Sequence, residues 1–261
     1  MKVSAFGLTD VGCRRQNNED AFLVREDLNL YIVADGVGGA AAGEIASGIF
    51  TKSGEKEFEA DSGWNQDYGM LLTRCFKNAN QAILDHTQQH SETRGMGCTA
   101  EALTFHNDHY FIGHVGDSRT YLLRNNTIQQ LTKDHSFIQE QLDLGLVTEE
   151  EAETHWLRNA IYRALGHRDD VEVDLISDRV QDGDRFLLCS DGLTDMLEDQ
   201  RILEISTTQM PLVWRVQKLI SEAKENGGID NITVVICDIA IEPPRNLLSS
   251  IKKKLLKSSQ N

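Results

Sequence analysis

Five apolar residues, Leu30-Tyr31-Ile32-Val33-Ala34, run into Asp35 and then into Gly36-Val37-Gly38-Gly39, and the good helix formers of Ala40 to Phe50 follow. The apolar, partly β-branched run reads as a buried strand. It delivers one carboxylate to a turn with almost no side chains. Two functional readings compete, beside a turn that is purely structural. One is the strand, Gly-x-Gly turn and helix that hold a dinucleotide pyrophosphate on backbone N–H groups. Against it, Asp35 would oppose an incoming anion, and no second strand ends in an acid about 20 residues on. The other is a cation site, with Asp35 as ligand and an open glycine carbonyl beside it, the oxygen donors that hard divalent ions take. This stretch alone leaves the two even.

The same design recurs. Asp191 ends Phe186-Leu187-Leu188-Cys189-Ser190 and precedes Gly192, and Asp117 follows Phe111-Ile112-Gly113-His114-Val115-Gly116. Asp230 opens the strand-like Ile232-Thr233-Val234-Val235, and Glu19 and Asp20 open another after Arg15-Gln16-Asn17-Asn18. Any one of them is most simply a turn acid. Five strands that each offer an acid beside glycine or asparagine form a pattern. Converged, these carboxylates could not all stay ionised without compensating cations, so more than one divalent metal ion is expected.

The rest of the chain reads as short strands at 2–9, 21–25, 97–105, 110–115, 120–123, 127–131, 171–176, 185–190 and 232–240. Helices are expected over 41–58, 68–89 and 211–223. In the second of these, Met70, Leu71, Cys75, Ala79, Ala82 and Ile83 are spaced to form an apolar face. Strands meeting in short turns and interrupted by long helices predict an α+β fold of antiparallel sheets covered by helices. Residues 136–168 break the pattern with acidic, helical sequence.

The net charge of −15 argues against nucleic acid as a partner. Five basic residues against Glu242 give the last 21 residues a net +4, which leaves −19 on the preceding 240. No apolar run approaches the roughly 20 residues that span a bilayer. The N-terminus offers no signal-peptide core. Five cysteines, odd in number and without a Cys-x-x-Cys pair, predict free thiols in a reducing cytoplasm.

Taken in order, the motifs resemble one family. They are Gly12-x-x-Arg15-x-x-Asn18-Glu19-Asp20, Ala34-Asp35-Gly36-Val37-Gly38-Gly39 and Gly113-His114-Val115-Gly116-Asp117-Ser118-Arg119. Then come Leu131-Thr132-x-Asp134-His135-Ser136, Arg163-Ala164-Leu165-Gly166, Ser190-Asp191-Gly192-Leu193 and Asp230-Asn231-Ile232-Thr233. Across residues 3–240 this ordered set is similar to the bacterial PPM-type, or protein phosphatase 2C, metal-dependent serine/threonine phosphatases. The resemblance implies a four-layer α-β-β-α sandwich over residues 1–240, with a flap insert at 136–168, followed by a basic tail, 241–261. It implies that Asp35 bridges two Mn²⁺ or Mg²⁺ ions, with the Gly36 carbonyl on one of them. Asp191 and Asp230 would complete the other shell, Glu19 and Asp20 would bind directly or through water, and Asp117 with Asp191 would hold a weaker third ion. Arg15 would grip the substrate phosphate, which suits a guanidinium fork. A metal-bridging hydroxide would attack phosphorus directly. Phosphoproteins would be the substrates, in opposition to a serine/threonine kinase, in cytoplasmic signalling.

Val37 departs from animal members, which carry a proposed general-acid histidine there. Metal-bound water and His135 are the candidate proton donors. Two rivals stand beside this reading: a silent binding protein that keeps the fold, and a phosphatase of small phosphate esters or phosphotyrosine. The insert reads equally as a lid or as a rigid surface helix pair. His86 and His90, four apart on a helix, read as a solvated face, and His114 as a hydrogen-bonded core histidine. For the leucine- and lysine-rich tail three readings stay open: contact with an acidic membrane surface or partner, folding back on the acidic domain, and disorder.

Overall fold

The computed structural model describes residues 1–38, 42–60, 67–153 and 155–241. The tail beyond Ile241 and Gly39-Ala40-Ala41 of the glycine turn lie outside them. In chain order, β1 (Lys2–Asp10), β2 (Ala21–Arg25), β3 (Leu30–Ala34) and the two-residue β4 (Gly36–Val37) precede α1 (Gly43–Ala60) and α2 (Tyr68–Gln89). Then come β5 (Gly97–Cys98), β6 (Ala100–His106), β7 (His109–Val115), β8 (Arg119–Arg124) and β9 (Thr127–Gln130). The short α3 (Phe137–Asp143) and α4 (Glu149–Glu153) fall in the insert. After it the chain runs through β10 (Asp174–Arg179), β11 (Arg185–Cys189), α5 (Asp191–Thr194), α6 (Asp199–Ser206), α7 (Leu212–Glu225) and β12 (Ile232–Ala240).

Two five-stranded antiparallel sheets form, in the orders β1-β12-β11-β8-β9 and β10-β7-β6-β3-β2. Their central strands are apolar on both faces, because each face has a layer to meet. In β3, Leu30, Ile32 and Ala34 pack under α1 and α2, while Tyr31 and Val33 face the other sheet. In β12, Ile232, Val234 and Ile236 pack beneath α6 and α7, and Val235, Cys237 and Ile239 turn to the sheet interface. Alternation of period two on a strand buried on both faces yields an unbroken apolar run. The helices supply the outer layers with stripes at three- and four-residue spacing: Leu71, Leu72, Cys75, Phe76, Ala79 and Ile83 on α2, and Val216, Leu219, Ile220 and Ala223 on α7. Four of the five cysteines are buried, and all five are free thiols. Among the described residues no helix is long and apolar enough to cross a membrane.

Register decides where the functional groups go. Ala21 faces Ala34, Ala100 faces Val115, Cys189 faces both Arg119 and Val234, and Asp10 faces Ile232. Each of those pairs closes a ladder at the same end of its sheet. The loops that follow or precede them therefore emerge together.

Three expectations need correction. The strand expected at 171–176 begins only at Asp174, because Val171 and Val173 pack into the helix-side cluster before β10 pairs with β7. The strand expected over 97–105 breaks at Thr99, whose N–H leaves the ladder for the Asp35 carbonyl (2.8 Å). In the insert, helix is confined to seven residues with no buried member and to a five-residue turn. The chain returns irregularly, through bridges of Ile161 to Ser136 and Leu165 to Cys98.

The sheet interface is held by aromatic packing. Phe186, fully buried, meets Phe105 edge-on (centroids 5.3 Å) and Tyr110 (4.9 Å). Phe186→Ala is expected to cost about 3–5 kcal/mol of unfolding free energy, read by urea denaturation.

Candidate metal and phosphate site

A cavity of about 260 Å³ opens at that common end, lined by Arg15, Glu19, Asp35, Gly36, Asp117, Asp191 and Asp230, with Val37, Gly38, Asn159, Ile161 and Asn231. Seven of the eight residues singled out in the sequence meet here. The eighth, Asp20, lies one layer behind and is 8% exposed.

Small polar side chains hold these acids in place. Ser190 Oγ, one residue past β11, and Thr233 Oγ1 of β12 donate to Asp20 Oδ2 (2.8 and 2.6 Å). Both donors converge on one oxygen, and no donor reaches the buried Asp20 Oδ1 or Asp191 Oδ1. Asn231 ties three segments, accepting from Glu19 N–H (2.8 Å) and donating to the carbonyls of Val11 and Asn17 (3.0 and 2.9 Å). Thr99 Oγ1 accepts the Asp35 N–H (2.9 Å) and lies 2.6 Å from Ser118 Oγ, linking the Asp35 and Asp117 turns. Asp191 is the first residue of α5, behind its N-cap Ser190, rather than the end of a strand. Gly36 is required by crowding. A Cβ there would stand 2.4 Å from the Gly43 carbonyl carbon and 2.6 Å from the Glu19 carbonyl oxygen, both backbone. The turn and the start of α1 cross with no room for a side chain.

The electrostatics follow from burial and crowding. Burial, then Asp20, Asp191, Asp117 and Asp230, push the Asp35 carboxyl well above the usual range. Asp191 is raised in the same way by burial, then by Asp117, Asp195 and Asp230. Burial and Asp134 carry Asp117 up to about 7, and burial carries Asp20 up to about 6 against the pull of Thr233 and Ser190. Burial and Glu44 raise Glu19. Each group is disfavoured as an anion unless positive charge enters. Two unpartnered carboxylate oxygens and an all-oxygen donor set fit hard divalent cations. Among the described residues no three His, Cys, Asp or Glu side chains are already drawn into a closed chelate. Arg15 stands at the rim with its side chain 56% exposed, and its Nη2 donates to Asp230 Oδ2 (2.7 Å).

Other sequence candidates fall outside. His86 and His90 stack on each other (4.2 Å) at the exposed end of α2. His114 is a core histidine, paired with Glu101 and with the Lys133 carbonyl. Asp134 closes on Arg119 (2.7 Å). His135 does not line the cavity, which counts against it as the proton donor. Thr99, Asn159 and Ile161 were missed. Thr99 carries no local signal, and the other two reach the site only through the return of the insert. Asn231, Ser190 and Thr233 lie inside recognised motifs, but their bracing roles depend on contacts between distant segments.

The family model described as "Protein phosphatase 2C" matches residues 13–238. The serine/threonine protein phosphatase PstP of Mycobacterium tuberculosis is 40% identical over 233 residues, 88% of this chain and 44% of that protein. The chain thus spans under half the length of that curated relative. The protein phosphatase PhpP of Streptococcus pneumoniae is 36% identical over 233 residues, 88% of this chain and 94% of that one. Among solved structures, the M. tuberculosis PstP phosphatase superposes with a TM-score of 0.85 at 37% identity, covering 92% of this chain and all of that one. The PstP catalytic domain in complex with two manganese ions superposes at 0.83 and 37% identity, covering 92% and 99%.

Neutralising one member of a mutually repelling set relieves it. Asp35→Asn is expected to raise the melting temperature of chelator-treated protein and to abolish the stabilisation that Mn²⁺ gives the unsubstituted chain. That stabilisation amounts to about 2.7 kcal/mol at a metal concentration a hundred times Kd. Thermal melts with and without Mn²⁺ check both, and an unsubstituted chain indifferent to Mn²⁺ would remove the cation reading.

Proposed function

The chain belongs to the protein phosphatase 2C family, and from that premise we propose that it hydrolyses phosphoserine and phosphothreonine in proteins with Mn²⁺ or Mg²⁺. The observation that carries this reading is one cavity in which acids from five segments, Glu19, Asp35, Asp117, Asp191 and Asp230, meet a single arginine. Two ions would be held by Asp35 with the Gly36 carbonyl, Asp191 and Asp230, with Glu19 and Asp20 binding directly or through water. Asp117 and Asp191 would hold a weaker third. Bound there, the ions supply the acidity that makes water a nucleophile at neutral pH and the charge that offsets the phosphoryl oxygens.

The chain's own residues do the rest. Arg15 spends one N–H on Asp230, and the remaining N–H groups of its fork are donors for phosphate oxygens. Ser190 and Thr233 hold Asp20 Oδ2 and leave its buried Oδ1 without a protein donor. Among the described lining residues there is no Ser, Thr, Cys, His or Lys, so direct attack by water replaces a phosphoenzyme on any of those groups. Val37 can neither give nor take a proton, and the leaving oxygen is left to water for its proton. A silent binding protein would have no use for the braces on Asp20 and Asp35, which cost polar burial and serve only their orientation. We place the enzyme in the cytoplasm, on its five free thiols, acting against a serine/threonine kinase.

Phosphate release from a phosphothreonine peptide is expected with Mn²⁺, to vanish with chelator, and to fall by several orders of magnitude in Asp35→Asn. Arg15→Ala is expected to raise KM about 10- to 100-fold, the worth of a charge-assisted hydrogen bond. Faster turnover of small phosphate esters or phosphotyrosine peptides would shift the substrate class. No release from a folded, Mn²⁺-binding chain would sink the hydrolase.

A further inference from the structure

His135 is 4% exposed and sits behind the Gly116–Asp117 turn, outside the cavity. It engages both main-chain groups of Gly116. The His135 N–H donates to the Gly116 carbonyl (2.7 Å), and the Gly116 N–H donates to His135 Nδ1 (3.0 Å). The other side of the turn is closed by Thr99, since a Cβ on Gly116 (φ +114°) would stand 2.7 Å from Thr99 Cβ. Asp117 is thus carried on a turn clamped between Thr99 and His135.

The same histidine anchors the insert. Its carbonyl accepts Tyr162 N–H (2.9 Å), beside the Phe137 N–H to Ala160 carbonyl bond (2.8 Å). Its ring stacks on His114 (4.6 Å), which is paired with buried Glu101. Nε2 faces Asp174 Oδ2 (3.3 Å) and Arg163 Nη1 (3.0 Å). An amide N–H can only donate, so Nδ1 is bare and the ring proton belongs on Nε2, directed to Asp174. Arg163 Nη1, itself only a donor, then makes no bond to Nε2 and donates instead to Asp174 and the Glu172 carbonyl. Arg163 is held by Asp174 (2.8 Å) and Glu172 (3.2 Å). Burial, then His114 and Arg163, depress the imidazole to about 4, so the ring is neutral at pH 7. A neutral ring whose one N–H points away from the cavity does not protonate a leaving group.

We propose that His135 is a positioning residue: it fixes the turn that carries Asp117 and joins that turn to the returning limb of the 136–168 insert. The proposal rests on Asp117 being a cation ligand, as set out under the proposed function.

Two substitutions separate the contacts. His135→Asn keeps an acceptor where Nδ1 stands and gives up Nε2, whereas His135→Gln does the reverse. His135→Leu removes both. Mn²⁺ binding by titration calorimetry and the Mn²⁺ concentration for half-maximal phosphate release are the readouts, in the parent and in Asp117→Asn. His135→Leu is expected to weaken the weakest Mn²⁺ step and raise the half-maximal concentration about tenfold. Asn should restore most of the loss and Gln little. In the Asp117→Asn background the Leu effect should fall below twofold. Equal losses in both backgrounds, or Asn no better than Gln, would overturn the proposal. Should the Leu variant fail to fold, the Asn and Gln pair decides. Should the parent bind Mn²⁺ yet release no phosphate, the hydrolase reading fails while the calorimetry still tests His135.

Discussion

Everything at the functional end of this molecule answers to one repulsion. Asp20, Asp191 and Asp117 are held close enough, and dry enough, to raise the cost of ionising Asp35, and Asp117 and Asp20 raise that of Asp191. A protein that had no use for the arrangement could relieve it by turning any of these side chains outward. Instead, two buried hydroxyls hold a single oxygen of Asp20 and a third holds the Asp35 main chain, while Asp20 Oδ1 and Asp191 Oδ1 meet no donor. A buried carboxylate oxygen without a donor is expensive in a finished fold. An oxygen so placed suits the donor set of a hard divalent cation.

The sandwich makes that concentration possible. Two sheets in face-to-face contact supply six central strand ends within a small area, and antiparallel register brings loops from distant sequence to one edge. Asn231 then stitches residues 11, 17 and 19 across more than two hundred positions. Stability lies in the aromatic and aliphatic interface behind, which contains Tyr31, Phe105, Tyr110 and Phe186. The ends are therefore free to carry unfavourable charge. Glu101, buried in that interface, is tolerated because His114 and Thr120 Oγ1 (2.6 Å) satisfy it from both sheets.

How much could be read without coordinates follows from the range of each signal. Strands β3, β11 and β12 declared themselves because two-sided burial writes an unbroken apolar run, and α2 because twenty-two residues hold its stripe. The acids were legible as a repeated acid beside glycine or asparagine, next to an apolar run. What was hidden is short or tertiary. The four residues of α5 span scarcely one helical turn, too little for a period to show. Val171 and Val173 mimic a strand because they are apolar for another surface. Thr99 looks like any strand threonine until Asp35 is found to bond to both its N–H and its hydroxyl oxygen.

Fold alone does not separate an enzyme from an inert relative, since function lives in the site that a fold presents. Here the discriminating fact is the economy of the braces. Ser190, Thr233, Thr99, Asn231 and His135 contribute no charge to the cavity, yet each spends its polar atoms on the carboxylate-bearing segments: a side chain, a main-chain amide or the turn behind it. Such groups stabilise a fold little for the desolvation they cost. Their arrangement makes physical sense only if the oxygens they orient must stand at fixed points in space. Fixed oxygens are what two cations and one phosphoryl group require.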